Sequence, residues 1–260
     1  MTRRFPAARP HGAPRRAFWK LLWTETKLTW RQPIGLFVGL GMPLLVLVVF
    51  ANIPQFAEPN EAFGGRSLMS VYVPVLIVFV LGGLALVGLT TSLITYREQG
   101  VLRRMSTTPV PPSWLLGAQL VIDLVIATLA IGLLMGITRV AFGVRGPGHL
   151  AGFALALVLT AVTVFGAGLW VAAVARSAQA GAAISNVLFL TLMFFAGLWI
   201  PRDVMAPMLR TISDYSPLGA AVQALQSAWE GSFPGARPLL VLAAYTLLAA
   251  IGAIRTFRWE

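Results

Sequence analysis

Not one cysteine occurs in the 260 residues, so disulfides and thiol chemistry are excluded. Histidine occurs twice, as His11 and His149, and the two stand too far apart to make a metal site. Lysine also occurs twice, as Lys20 and Lys27, and neither follows a glycine. The chain therefore has no G-x-x-x-x-G-K-[ST] loop and is not expected to hydrolyse ATP by itself. Charge is scarce as well. Charged residues make up 11% of the chain, against about 25% in a soluble domain. No pair of acids stands at catalytic spacing inside an apolar run, which argues against an intramembrane prenyltransferase or metalloprotease.

What fills the chain instead is hydrocarbon. Hydrophobic residues reach 57%, gathered in runs long enough for a bilayer core of ~30 Å. Six spans are expected, at 34–54, 68–95, 114–138, 150–175, 181–200 and 238–257. Pro43 and Pro74 are expected to kink the first two. Gly166, Gly168, Ala172, Ala173 and Ala175 let the fourth pack closely on its neighbours within the subunit. The fold class is an all-α membrane protein.

The basic residues orient these spans. Arg3, Arg4, Arg9, Arg15, Arg16, Lys20, Lys27 and Arg31 precede the first span. Arg97, Arg103, Arg104, Arg176, Arg255 and Arg258 fall on the same side, which gives fourteen. Arg66, Arg139, Arg145, Arg202, Arg210 and Arg237 fall on the other, which gives six. The positive-inside rule then puts both termini and the 96–113 loop in the cytoplasm, and an even span count agrees. The net charge of +11 reflects this topology and not a nucleic-acid surface, because it sits in the arm and beside the spans. The expected location is the plasma (inner) membrane.

Residues 1–16, rich in Arg, Pro and Ala, read as a disordered basic cytoplasmic tail on anionic lipid. Residues 17–31 read as an amphipathic helix in the membrane interface. Phe18, Leu21, Leu22, Glu25 and Leu28 share a face, with Trp19, Trp23 and Trp30 around it. One ionisable residue falls inside a span. Asp123 lies ten residues into the third, about 13–14 Å along the helix. An aspartate in a span must face protein or water. Its off-centre position favours a structural hydrogen bond to a neighbouring helix over a contact with a cationic substrate.

The loop 96–113 is the one sizeable basic loop between apolar runs. Glu98, Gly100, Val101, Leu102, Arg103, Arg104 and Met105 can make a short amphipathic helix, which Pro109, Pro111 and Pro112 end. From Arg97 to Val110 it is similar to the R-E-x-G-x-L-x-x-L-x-x-T-P-V segment of ATP-binding cassette exporters of the type-2 family, which include the daunorubicin-resistance-type permeases. Met105 takes the last leucine position. A second stretch, Phe194 to Pro201 and on through Ser216, Pro217 and Leu218, resembles that family's outer segment. Gly197, Pro201, Pro207 and Pro217 are its marker residues. In Met205-Ala206-Pro207 the proline comes one position later than the family's usual pair.

The resemblance implies one type-2 transmembrane domain over 17–260, with a re-entrant outer segment between spans 5 and 6. It implies a homodimer or heterodimer of permeases in the lipid bilayer, above two copies of a separate ATP-binding subunit. The ATP would be bound there, and this chain would bind no cofactor. Glu98 and the arginines would fix the register on the ATPase. Val101, Leu102 and Met105 would fill its groove, Gly100 would permit a bend or a close backbone approach, and residues 176–180 offer a second contact. The cargo would be hydrophobic or amphipathic: a drug, a lipid or a glycan carrier. A stand-alone secondary transporter is the alternative, with Asp123 as its one candidate coupling acid.

Overall fold

A computed structural model describes residues 13–30, 37–56, 58–63, 65–101, 104 and 113–256. Helix α1 is Ala13–Trp30. A π-turn, Phe37–Gly41, runs into the α-helix Met42–Ala51, and together they are α2. Helix α3, Leu68–Glu98, is α-helical over Leu68–Gly82 and Thr90–Glu98, with a π-helical stretch, Gly83–Leu89, between. Then come α4 (Ser113–Phe142), α5 (Leu150–Val174) and α6 (Ala178–Ala196). The short helices α7 (Pro207–Tyr215) and α8 (Pro217–Trp229) precede α9 (Ala236–Thr256). Strands β1 (Pro59–Asn60) and β2 (Arg66–Ser67) form one small antiparallel pair.

Five of these helices are long and apolar enough to cross a bilayer: α3, α4, α5, α6 and α9. The apolar helix of the expected first span, Gly39–Phe50, is shorter. Twelve residues at 1.5 Å each give about 18 Å, well under a ~30 Å core. Helices α3 and α4 err the other way. At 31 and 29 residues they are about 45 Å long, so they tilt or project beyond the hydrocarbon.

Helix α3 is the hub. It is apolar all round and buried nearly throughout, with α4, α5, α6 and α8 packed about it. The Ser67 hydroxyl caps its start by accepting from the Ser70 N–H (3.3 Å). Gly168 of α5 packs directly on its π-helical stretch. A Cβ at Gly168 would overlap the Ala85 carbonyl oxygen. Thr90 Oγ1 donates to the Gly168 carbonyl (3.1 Å) and lies 3.3 Å from that of Ala85. Gly166 meets Ala249 of α9 in the same way, and Ala172 is buried. The small residues of the fourth apolar run thus serve packing within the subunit.

Local signals place the other ends. His149 Nδ1 accepts from the Gly152 N–H (3.0 Å) to cap α5, and Ser177 Oγ accepts from the Ala180 N–H (3.2 Å) to cap α6. Gly197 ends α6 at φ +94°, where a side chain would be strained.

Helix α1 departs from expectation at its start and at Leu28. It begins at Ala13, so residues 13–16 are helical rather than disordered; residues 1–12 lie outside the described residues. Pro14 falls in the first turn, where its missing N–H costs nothing. The helix also runs alongside α4. The Phe18 and Trp114 rings meet edge to face at 5.9 Å, and Thr29 shares a small apolar pocket with Val125 and Leu129. Leu28 is exposed, not part of the buried face. Trp19 and Trp23 point outward, with Lys27 Nζ 5.1 Å from the Trp23 ring.

Candidate coupling site

Three polar clusters interrupt the apolar body. The first closes the end of the bundle where α3 stops. Arg97 reaches the last carbonyls of α5, donating through Nη1 to that of Ala172 (3.3 Å) and through Nη2 to that of Ala175. The next residue points to α6: Glu98 Oε1 accepts from the Ala178 N–H at 2.6 Å. Cation at a helix C-terminus and anion at a helix N-terminus each match the local dipole. Two consecutive side chains of α3 therefore hold the short turn between α5 and α6. Glu98 is exposed, yet its carboxylate has a partner inside the chain.

Past Glu98 the backbone turns. Gly100 takes φ +66° with nothing within 4 Å of where its Cβ would stand, so it serves the bend and not a close approach. Arg104 donates from Nη2 to the Gln99 carbonyl (2.9 Å) and from its backbone to that of Gly100 (3.0 Å). Val101, expected to face a partner, packs half-buried with Leu21 against Tyr96 and Leu115. Leu102, Arg103 and Met105 lie outside the described residues.

The second cluster lies between α1, α3 and α4. Glu25 is buried, and Tyr96 donates its hydroxyl to Glu25 Oε2 at 2.6 Å. Burial pushes the Glu25 carboxyl above its usual range, and the Tyr96 hydrogen bond offsets this in part. Asp123 is buried beside it; Gln119 Nε2 donates weakly to Oδ1 (3.4 Å), and Oδ2 has no partner among the described residues. The hydrogen bond to Asp123 comes from its own helix, not the neighbouring one expected. The sequence put Glu25 on one face of an interfacial helix, and its partner Tyr96 was not read from it. A single acid among apolar positions at helical spacing was the available signal.

The third cluster lies at the opposite end. Arg202, buried just after Pro201, pairs with Asp214 of α7 and donates to the Gly219 carbonyl of α8 (3.0 Å). Burial pulls the Arg202 pKa down and the Asp214 charge opposes it. Arg237 holds the other Asp214 oxygen at 2.8 Å. Arg66, beside the β-pair, bridges Asp203 (3.2 Å) and Glu230. Pro207 and Pro217 each open a helix, α7 and α8, at a position that needs no N–H. None of this ionic frame was read from the sequence, because its members come from five separate segments.

Arg97 and Glu98 join the end of α3 to the facing ends of α5 and α6. Among the described residues no group of three or more metal-ligating side chains comes together. The family model of the ABC-2 type transporter matches residues 16–229, most of the chain, and the chain belongs to that family. None of the curated proteins matches it.

Proposed function

We propose that this ABC-2 type transporter domain is the membrane-spanning subunit of an ATP-driven exporter, coupled to its motor through the 96–113 loop. The coarser part follows from the family: the chain is a multi-pass permease, a transport subunit and not a catalytic one, and such permeases normally work with an ATP-binding subunit. The observation that carries the finer part is the pair of contacts made by Arg97 and Glu98. A loop that begins on a clamp between α3, α5 and α6 is placed to move three helices at once. Two ATP-binding subunits would push on it from the cytoplasm, where both termini also lie, in the plasma membrane. ATP would be bound there and not by this chain.

In this reading residues 17–260 act as one transmembrane domain, preceded by a basic tail, with α1 at the membrane interface. The expected first span, 34–54, completes six, with α2 as its described part. Helices α7 and α8 form the re-entrant outer segment marked by Gly197, Pro201, Pro207 and Pro217. The reach of α8 supports this. Leu218, at its start, comes within 3.6 Å of where a Cβ on Gly82 would stand, deep along α3. At its other end the Trp229 carbonyl accepts from the Gly148 N–H in the loop before α5 (3.1 Å). Two such permeases, identical or different, would enclose the path and export a hydrophobic or amphipathic drug, lipid or glycan by alternating access.

The test uses the absence of cysteine. Single cysteines at Gly100 and, as a control, Arg145 are cross-linked in vesicles holding the co-expressed ATP-binding subunit. Phosphate release is measured with and without that subunit. Cross-linking at 100 and not at 145, with turnover only in the complex, is expected. Turnover by the purified permease alone, or equal cross-linking at both positions, overturns the reading.

A further inference from the structure

Helix α3 has a weak point, and two of its neighbours have theirs at the same level. π-Helical turns are rare, come mostly as single turns, and gather at functional sites. The stretch Gly83–Leu89 puts seven such residues into the middle of the most buried span of the bundle. Ala85 lies about 26 Å from the start of α3 and about 20 Å from its end. Gly82, Gly83 and Gly88 bring no side chain to hold these turns in register. The hydrogen bonds at the edge of the stretch are mixed. The Thr90 N–H turns to the Val87 carbonyl, three residues back, while Thr90 Oγ1 is shared between the carbonyls of Ala85 (3.3 Å) and Gly168 (3.1 Å).

The neighbours match it. A second π-turn, Phe37–Gly41, packs on the stretch from α2, and a Cβ at Gly39 would overlap the Leu84 side chain. Helix α5 meets it through Gly168, two residues after Gly166. Helix α6 supplies a loose end. Gly181 packs on Ile94 and Phe189 on Gly82, so Ser185, midway between them on the same face, stands opposite the π-helical stretch. Ser185 is fully buried, and its hydroxyl has no partner among the described residues. An unpaired buried hydroxyl costs free energy, and a shift of the facing carbonyls would give it an acceptor.

We propose that this layer is a hinge, at which the arm Thr90–Glu98 swings against the rest of α3. The arm takes the ends of α5 and α6 with it, because Arg97 and Glu98 hold them. The other end of the bundle is kept together by the pairs Arg66–Asp203, Arg66–Glu230 and Arg202–Asp214. Helices kink at π-turns, and a sharp kink exceeds ~20°. Over the ~20 Å from Ala85 to Glu98, a change of about 20° moves residue 98 by about 7 Å. The hinge stands on contacts within one chain; only the force that drives it rests on the coupling proposed above.

The test uses the full chain in phosphatidylcholine vesicles, without an ATP-binding subunit. Hydrogen–deuterium exchange is expected to be faster over residues 84–90 than over 75–80, a deeply buried turn of the same helix. Gly88→Ala adds a Cβ that comes no nearer than 3.8 Å to a neighbouring atom, so it fits. It should slow exchange over 84–90 by about fivefold, the factor that one glycine-to-alanine change in a helix is worth. Thr90→Val keeps the shape, removes both contacts of Oγ1 and should quicken exchange, which checks the hinge should Gly88→Ala fold poorly. For the swing, nitroxides are attached at Gln179→Cys, at the start of α6, and Leu124→Cys on α4, both exposed positions. Two distances up to about 7 Å apart are expected in the otherwise wild-type chain, collapsing toward one in Gly88→Ala. Exchange over 84–90 that is no faster than over 75–80, or that neither variant changes, overturns the weak point. A single narrow distance before Gly88→Ala is introduced, or two distances that it leaves unchanged, overturns the swing. No readout involves ATP hydrolysis or partner recovery, so failure here is distinct from failure of the coupling reading.

Discussion

Glu98 stands at the end of α3, where its observed helix contact and its proposed docking role can be separated. Its carboxylate accepts from the first N–H of α6 at 2.6 Å, and the Ser177 hydroxyl caps the same helix through Ala180. Removing a side-chain acceptor from a helix N-terminus costs about 0.5–2 kcal/mol, and the charge–dipole part of this is about 0.3–1 kcal/mol. Because Glu98 is exposed, water replaces part of the bond, and about 1 kcal/mol is the working figure for Glu98→Ala. For a chain of this size that lowers an apparent Tm by about 2–4 °C. Glu98→Gln keeps an amide oxygen to accept the Ala178 N–H and loses only the charge, so it should fall by less than half as much. Glu98→Arg loses both and sets a cation at a helix N-terminus, so it should be the least stable of the three. Docking to an ATPase is a different quantity. Charge complementarity at a contact can be worth several kcal/mol, so Glu98→Gln should weaken recovery of the partner far more than it lowers the Tm. The assay pairs thermal unfolding in detergent with a pull-down of the ATP-binding subunit from the same preparations. Equal melting of Glu98→Ala, Glu98→Gln and wild type would remove the helix-capping role. Full partner recovery by Glu98→Gln and Glu98→Arg would remove the docking role.

Two further outcomes follow from the other clusters. Glu25 has its pKa raised by burial, so the folded state binds its proton more tightly than the unfolded one; stability should be full below the ordinary value of 4.5 and fall as pH rises through the raised pKa. Thermal unfolding across that range should show the fall in wild type and flatten in Glu25→Gln, which keeps an acceptor for Tyr96; an unchanged slope would exclude Glu25 as its source. Arg202→Met should destabilise by about 3 kcal/mol, the low end for breaking a buried pair, because Asp214 keeps Arg237 while the Gly219 carbonyl loses its donor. Membrane yield and apparent Tm would both drop, and a Tm within about 1 °C of wild type would show that the ionic frame holds nothing.

What was legible in the chain is what acts locally. Helix class follows from runs of hydrocarbon, helix ends follow from Gly197, Pro207 and Pro217, and the bend after α3 follows from Gly100. The close approach of α3 and α5 was legible as small residues before their partners were known. What escaped was which distant segments meet. Glu98 and Ala178 are 80 residues apart, Glu25 and Tyr96 are 71, and Arg66 and Glu230 are 164; no periodicity links such pairs. This changes how the Arg97–Val110 segment is understood. Read as a sequence, its charges look like a surface held out to a partner. In the structure the first two charges turn inward to α5 and α6, and Val101 packs on Leu115 and Tyr96. A membrane chain with few charged residues places several of them where helix ends need them. In the proposed coupling, a motor pushing on this segment would push on a part already fastened to the spans. Fastening would turn such a loop into a lever: a free loop would absorb the displacement in its own backbone, whereas one gripped at Arg97 and Glu98 would transmit it.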